Sequence, residues 1–388
     1  MAKDLLNRML GIIPKIISEE QAAFVKVRSI SDNLLLAQEV FNKLRHSKAN
    51  NGFLAIKVDM EQAYDSMCSE TLKKMMVDLG LPFKFVNMVL EYDVLIFVEA
   101  KVGSMKKVKD IVEGHCKWTG QKINCHKSSL ICGNSVERRR KVHISIFMGV
   151  KLVEEFEYLG IKMALRRLKK LDFQILLDKS SIKLNAWGNR YISLTGRLVM
   201  VKIVYLSLPF FIMSHSLIPM KTLMEFERLC RYFIWNKCDG KHGNHYVAWE
   251  QLRKPKQYAG WGVQSAVNRR DTLRANFAWK LLENPDSFLN RNLLAKYGVN
   301  LWDSAMSRGD FSSWKIISSG WNALKNFVRW KIGNGSKINV LKDIWILDKN
   351  LLKWPTFVGS FDDDNITLDF FIHEGNWDCA KLSLYFGA

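Results

Sequence analysis

Phe53-Leu-Ala-Ile-Lys-Val-Asp59-Met-Glu-Gln-Ala-Tyr64-Asp65 sets an apolar run directly against a carboxylate. Phe53 to Lys57 fit a buried strand, and Val58 continues it. Asp59 then falls at the strand's end, with Tyr64 and Asp65 on the turn or helix that follows. An acidic side chain at the end of an apolar strand is where a two-metal phosphoryl-transfer site puts a ligand. Such a site needs a second strand carrying another carboxylate to the same place. The candidate is Asp93, beside the apolar run Val94-Leu-Ile-Phe97.

Outward from this pair, the chain reads as an α+β protein. Ser31-Asp32-Asn33 can cap a helix over 34–44, whose apolar positions 34, 35, 40, 41 and 44 share a face. A Lys/Asn/Gly turn at 48–52 leads into the 53–58 strand. Helices are expected over 69–79 and 83–90, a strand over 92–98, and a helix over 104–118. Gly120 to Asn124 turns into a basic strand. Arg138-Arg-Arg-Lys141 reads as a solvated loop, and 156–161 as a strand. Helices follow over 171–187, 198–207 and 223–235. Beyond 236, tryptophan becomes frequent among Gly, Asn and Lys. Helices are expected there over 265–284 and 312–327, with a hairpin over 331–340 turning at Gly333-Asn-Gly335.

The 388 residues carry a formal net charge of +20, with 48% hydrophobic and 12% aromatic side chains. That supports real cores and excludes a disordered composition. The charge favours a polyanion, most simply RNA or DNA, although anionic membrane surfaces attract such a chain too. Seven cysteines without a C-x-x-C pair read as reduced, intracellular usage, nuclear or cytoplasmic. The amphipathic N-terminus lacks the features of a signal peptide. The apolar stretch 198–219 holds Lys202, His215 and two prolines, so a buried helix plus a loop is expected rather than a membrane span.

The 53–65 stretch resembles motif A of the reverse transcriptases of plant non-LTR (LINE-type) retrotransposons. Ile17-Ser-Glu-Glu-Gln-Ala-Ala-Phe24 and Ser29-Ile-Ser-Asp-Asn33 are similar to that family's fingers region. Tyr92-Asp93-Val-Leu-Ile-Phe97 resembles its Tyr-Ala-Asp-Asp-Val-Leu-Ile-Phe motif C. Further similar blocks follow in the family's order. They are Cys116-Lys-Trp-Thr-Gly-Gln-Lys-Ile-Asn124 with Lys127-Ser128, then 156–161, 184–210, Trp249–Val263, Trp279–Pro285 and Phe327–Gly335. The resemblance implies the remnant of a right-hand polymerase palm. Its regions would be a fingers-like helical fragment (1–50), a shortened palm (51–161), a helical thumb-like region (162–236) and a Trp-rich, mainly helical connector (237–388).

The departures are informative. The family's Arg-Gln-Gly-Asp-Pro-Leu-Ser-Pro stretch has no counterpart between Asp65 and Tyr92. Motif C lacks its alanine and one aspartate. Neither the family's upstream endonuclease nor its downstream ribonuclease-H-like domain is in this chain. The expectation is a degenerate reverse-transcriptase-like protein from an internally deleted copy, ancestrally an RNA-directed DNA polymerase and now inactive. The alternatives are a basic nucleic-acid-binding remnant and an inert product.

By resemblance, Asp59 and Asp93 are the catalytic and metal-binding carboxylates, for Mg²⁺ or Mn²⁺, and Tyr64 gates the nucleotide pocket. Read from residues alone, Asp59 is equally a strand-end cap and Tyr64 a packing aromatic. Lys122, Lys127, Arg138, Arg139, Arg140, Arg166 and Arg167 are placed to meet phosphates or to form a charged surface. Arg197 joins them through the thumb resemblance. Trp118 and Trp187 either stack bases or fill a core. Two loose Cys/His sets match no standard zinc spacing, so no zinc is expected. The first is His115, Cys116, Cys125, His126 and Cys132. The second is Cys230, Cys238, His242 and His245.

Overall fold

The computed structural model describes residues 18–21, 28–61, 94–187, 192–235, 246–298, 311–325, 327–328, 330, 332–336, 338–346, 350–354, 365–373 and 375–386. Tyr64, Asp65, Tyr92, Asp93 and the helices expected over 69–79 and 83–90 lie outside them. The fold is mixed α+β, a small sheet among several helices.

Helix α1 (Ile30–His46) is capped by Ser29, whose hydroxyl accepts from the Ser31 N–H. Strand β1 (Phe53–Val58) follows, with the short β2 (Met60–Glu61) after it. Strand β3 (Val94–Glu99) lies antiparallel to β1, with Phe53 opposite Glu99 and Val58 opposite Val94. Helix α2 (Val102–Thr119) ends at Gly120, whose φ of 75° closes it in the left-handed region. Then come β4 (Lys122–Ile123), which pairs with β2, and β5 (Ser129–Cys132). β5 is antiparallel to β1 on its other side. β3 and β5 therefore run parallel to each other with β1 between them, joined through α2. This is a split β-α-β unit. Helix α3 (Arg138–Met148) leads to β6 (Lys151–Leu152), which extends the sheet beside β5.

Alternation along the strands makes three layers. Leu54, Ile56, Val58, Leu130 and Cys132 face Met105, Val108 and Val112 of α2 and Ile144 of α3. Ala55 and Ile131 face α1 and the hairpin of β7 (Glu155–Tyr158) and β8 (Ile161–Ala164). Phe41 of α1 meets Phe97 and Phe156 edge-on at 5.8 and 5.6 Å.

Helices α4 (Gln174–Trp187), α5 (Leu194–Ile203), α6 (Phe210–His215), α7 (Met220–Trp235) and α8 (Trp249–Arg253) build the next core with the start of α9 (Ala266–Glu283). Its centre is polar. Glu227, 6% exposed, accepts from Ser265 Oγ at 2.5 Å, Trp249 Nε1 at 3.1 Å and the Val267 N–H at 3.2 Å. By length and composition Leu194–His215 is apolar enough to cross a membrane. Its Leu198, Val201, Tyr205, Leu206 and Met213 are packed into this core. Gly260 passes so close to the Lys254 carbonyl oxygen that a Cβ would lie 2.0 Å from it. That contact accounts for a glycine in the Ala259-Gly-Trp-Gly262 turn.

Helices α10 (Phe288–Tyr297) and α11 (Ser312–Leu324) pack with α9 around Trp314, Ile317 and Trp321. Leu35 of α1 enters this cluster, whereas Leu34 belongs to the sheet-side core. The expected single apolar face of α1 is thus two faces. Adjacent helical positions are about 100° apart, and α1 has a core on either side. Beyond α11 a small cluster of Ile338, Val340, Leu341, Leu351, Leu368 and Phe371 abuts the hairpin of β9 (Ile372–His373) and β10 (Asn376–Trp377) and helix α12 (Cys379–Phe386).

Three local expectations are corrected. Arg138–Lys141 is the first turn of α3, not a loop, because Ile144, Phe147 and Met148 give the segment a buried face. The single strand expected over 156–161 is the β7–β8 hairpin, with Leu159 and Gly160 at positive φ between its strands. Among the described residues 331–340 forms no hairpin. Residues 333–335 bend, and Asn339 instead bridges Thr367.

Candidate nucleic-acid interface

Asp59 leaves β1 half-buried, and its backbone is laced to the turn after β4. Its N–H donates to Ser128 Oγ at 3.0 Å, and its carbonyl accepts from the Asn124 N–H at 2.9 Å. The Asn124 side chain in turn accepts from the His126 and Lys127 N–H groups. Glu61 stands opposite Lys122 in the β2–β4 ladder. The strand end therefore carries Asp59 next to a turn that presents exposed Lys122 and Lys127. Trp118, on the last turn of α2, is 71% exposed. It is not a core residue. An exposed indole offers a face on which a nucleobase can stack, and exposed lysines offer ammonium groups to phosphates. The side chain of Trp187 lies outside the described residues.

A metal needs more ligands than Asp59. Among the described residues, no group of three or more His, Cys, Asp or Glu side chains is placed to hold one. The described residues, which do not include Asp93, do not by themselves make up a two-metal centre. The first Cys/His set is dispersed. Cys132 is buried in the sheet core, where desolvation pushes its thiol up to about 11, while Cys125 and His126 are exposed. In the second set, Cys230 is fully buried and its thiol is raised well above the ordinary range by desolvation. Cys238, His242 and His245 lie outside the described residues.

The basic residues do not converge on one patch. Arg140 reaches Asn51 Oδ1 at 3.4 Å, and Asn51 Nδ2 donates to Glu99 Oε1 at 3.2 Å. That is the start of β1, roughly 20 Å along the strand from Asp59 at about 3.3 Å per residue. Arg138 and Arg139 are exposed in the same first turn of α3, at the positive end of its dipole. Cations there are disfavoured, and an approaching polyanion relieves the strain.

Arg166 lies in an ion-pair network. It holds Asp172 in a fork, Nη1 to Oδ2 and Nη2 to Oδ1 both at 2.6 Å, and reaches Glu155 Oε2 at 2.5 Å. Lys162 bonds Glu155 at 2.7 Å and Asp172 at 3.2 Å. The Arg166 guanidinium holds the Asp172 carboxyl well below the usual carboxylate range, and the same pairing raises Arg166 further. Arg167 is exposed beside it. Arg197 is half-buried on α5.

Sequence reading missed a second basic surface. Arg253, Lys254 and Arg269, with Gln264, Asn268 and Thr272, line an open groove of about 700 Å³ on which Glu250 is the only lining carboxylate among the described residues. Arg269 lies 4.3 Å over the Phe210 ring. The three cations come from two helices and a turn, so no charge run announces them.

No protein-family model matches the chain. Two curated proteins of Arabidopsis thaliana are similar to it. One, named "Putative ribonuclease H protein", is 30% identical over 226 residues, 57% of this chain and 36% of that protein. The other, an uncharacterized mitochondrial protein, is 26% identical over 123 residues, 31% of this chain and 80% of that protein. The chain thus spans little more than a third of the first relative's length. It is a distant homologue of both.

Proposed function

We propose that this chain is a reverse-transcriptase-derived protein of the plant non-LTR type, with a shortened palm that binds nucleic acid without polymerising. The observation that carries the reading is the split β-α-β unit. Motif-A-like β1 lies directly beside motif-C-like β3, and Asp59 emerges from β1 next to the lysine-bearing turn. A palm puts its catalytic carboxylate at that position. The plant source of both relatives supports the reading. So does the name of the first, because the resembled family carries a ribonuclease-H-like region downstream. On this reading 1–50, 51–161, 162–236 and 237–388 descend from fingers, palm, thumb and connector.

Binding without polymerisation follows from chemistry. In-line phosphoryl transfer needs two metals held within tenths of an ångström. The sequence lacks the family's Arg-Gln-Gly-Asp-Pro-Leu-Ser-Pro stretch and one motif C aspartate, and among the described residues no group of three possible ligands forms. Binding needs only phosphate contacts and stacking, which Lys122, Lys127 and Trp118 supply.

The test is fluorescence anisotropy of a single-stranded RNA across a salt titration, with primer extension in Mg²⁺ and Mn²⁺ beside Asp59→Asn. Salt-sensitive binding without extension is the expected result. Extension that vanishes in the Asp59 variant overturns the loss of catalysis, and salt-independent or absent binding overturns the whole reading.

A further inference from the structure

A further cluster of cations sits away from Asp59, around a cavity of about 100 Å³. Gln38 and Arg45 of α1, Lys162 of β8, Arg166 and Arg167 just beyond β8, and Ser312 of α11 come together there. Among the described residues no aspartate or glutamate lines it. Lys162 and Arg166 are paired with Glu155 and Asp172, which stand outside the lining. Those two carboxylates offset two of the four cations. The guanidinium groups of Arg45 and Arg167 have no carboxylate partner among the described residues, so the cluster keeps two positive charges. A phosphate monoester carries close to two negative charges near neutral pH.

Two further features favour an oxyanion. Ser312 opens α11, a helix of 13 residues whose N-cap, Phe311, makes no side-chain capping bond. The unpaired N–H groups and dipole of that first turn attract an anion. Gln38 is 9% exposed, and its Nε2 donates to the His215 carbonyl at 2.6 Å, while its Oε1 has no hydrogen-bond partner. A buried polar atom without a partner is uncommon in a folded chain. A small turn of the Gln38 amide toward the cavity lets the hydroxyl of a singly protonated phosphate supply the missing donor.

We propose that this cavity binds a phosphate monoester, the terminal phosphate of a nucleotide or of a nucleic-acid end. Its volume takes several waters or one tetrahedral oxyanion, and leaves a nucleoside outside. Arg45 and Arg167 carry the net charge, Arg166 and Lys162 stay braced by their carboxylates, and α11 contributes its amide groups. This site rests on its own geometry and does not require the nucleic-acid reading above.

The test uses the full chain with inorganic phosphate in calorimetry, against chloride at matched ionic strength. Wild-type protein is expected to give a saturable heat. The double variant Arg45→Gln/Arg167→Gln is expected to bind at least about tenfold more weakly, because both charge-assisted contacts are lost. Circular dichroism and the urea midpoint report its folding. Arg45→Lys/Arg167→Lys keeps the charges without the planar fork, and should fall between the two. Absence of a saturable heat in wild type, or equal affinity in either double variant, overturns the site. A second arm compares single strands with and without a 5′-phosphate. A preference for the phosphorylated strand that the double Gln variant loses assigns a nucleic-acid end. Equal binding of both strands, with the phosphate heat retained, assigns a free phosphate ester.

Discussion

Asp172→Asn removes the carboxylate on which the loop after β8 is organised. Asp172 accepts twice from Arg166 at 2.6 Å, from Lys162 at 3.2 Å and from the Lys169 N–H at 2.7 Å, with its side chain 5% exposed. Asparagine keeps one acceptor and turns two donors toward the guanidinium. Breaking a buried pair costs ~3–5 kcal/mol, but Arg166 is 45% exposed and solvent screens the pair. About 2 kcal/mol is therefore expected at neutral pH. The pH dependence has a definite sign. The native carboxyl titrates below its unfolded value of about 3.9, so its contribution is complete above that value. It is lost as pH falls through the native value. Arg166 is raised, so its share persists throughout this range. Urea unfolding of both proteins should give a stability gap that is constant from about pH 7 to pH 5 and narrows below about pH 4. A gap under about 0.5 kcal/mol at neutral pH, or one unchanged between about pH 4 and pH 2.5, refutes the reasoning. Phosphate binding should move the opposite way. Removing one carboxylate leaves the adjacent cavity more positive, so a folded Asp172→Asn protein binds phosphate more tightly.

Other outcomes follow from single contacts. Trp118→Ala should weaken single-stranded RNA binding about fivefold or more, as loss of one stacked base predicts, while leaving the salt slope unchanged and duplex binding nearly so. Lys122→Gln/Lys127→Gln should instead flatten the slope of log affinity against log salt by about 0.7 per lost phosphate contact on a single strand. Gly320→Ala places a Cβ 2.3 Å from the Arg274 carbonyl oxygen, where α9 and α11 cross. That overpacking should cost ~1–3 kcal/mol in urea unfolding without altering the RNA salt slope. Arg274→Met removes the 3%-exposed guanidinium that donates to the carbonyls of Met213 at 3.0 Å and Ser216 at 2.6 Å. Stranding those acceptors should lower stability by about 3 kcal/mol in the same assay.

Local pattern was enough for the strand at 53–58, for the described part of the strand expected over 92–98, for the helices expected over 104–118, 223–235 and 265–284 to within a few residues at each end, and for the position of Asp59. Each is a short run whose periodicity, caps and Gly stops act within a few residues. The net charge raises a polyanion partner as an expectation from the sequence alone, because charge sums along a chain whatever its shape. Partners were another matter. Nothing near Phe53–Val58 says that Ser129–Cys132 becomes its second neighbour, since strand pairing is settled by which apolar faces meet after the chain has turned back. α1 was legible as a helix, but a core on each side split its face. The two arginines at 166 and 167 are identical in sequence terms. Folding gives one of them two carboxylates and leaves the other facing a cavity with Arg45 and the first turn of α11, because charge pairing is decided by distances of a few ångströms that adjacency along the backbone does not encode.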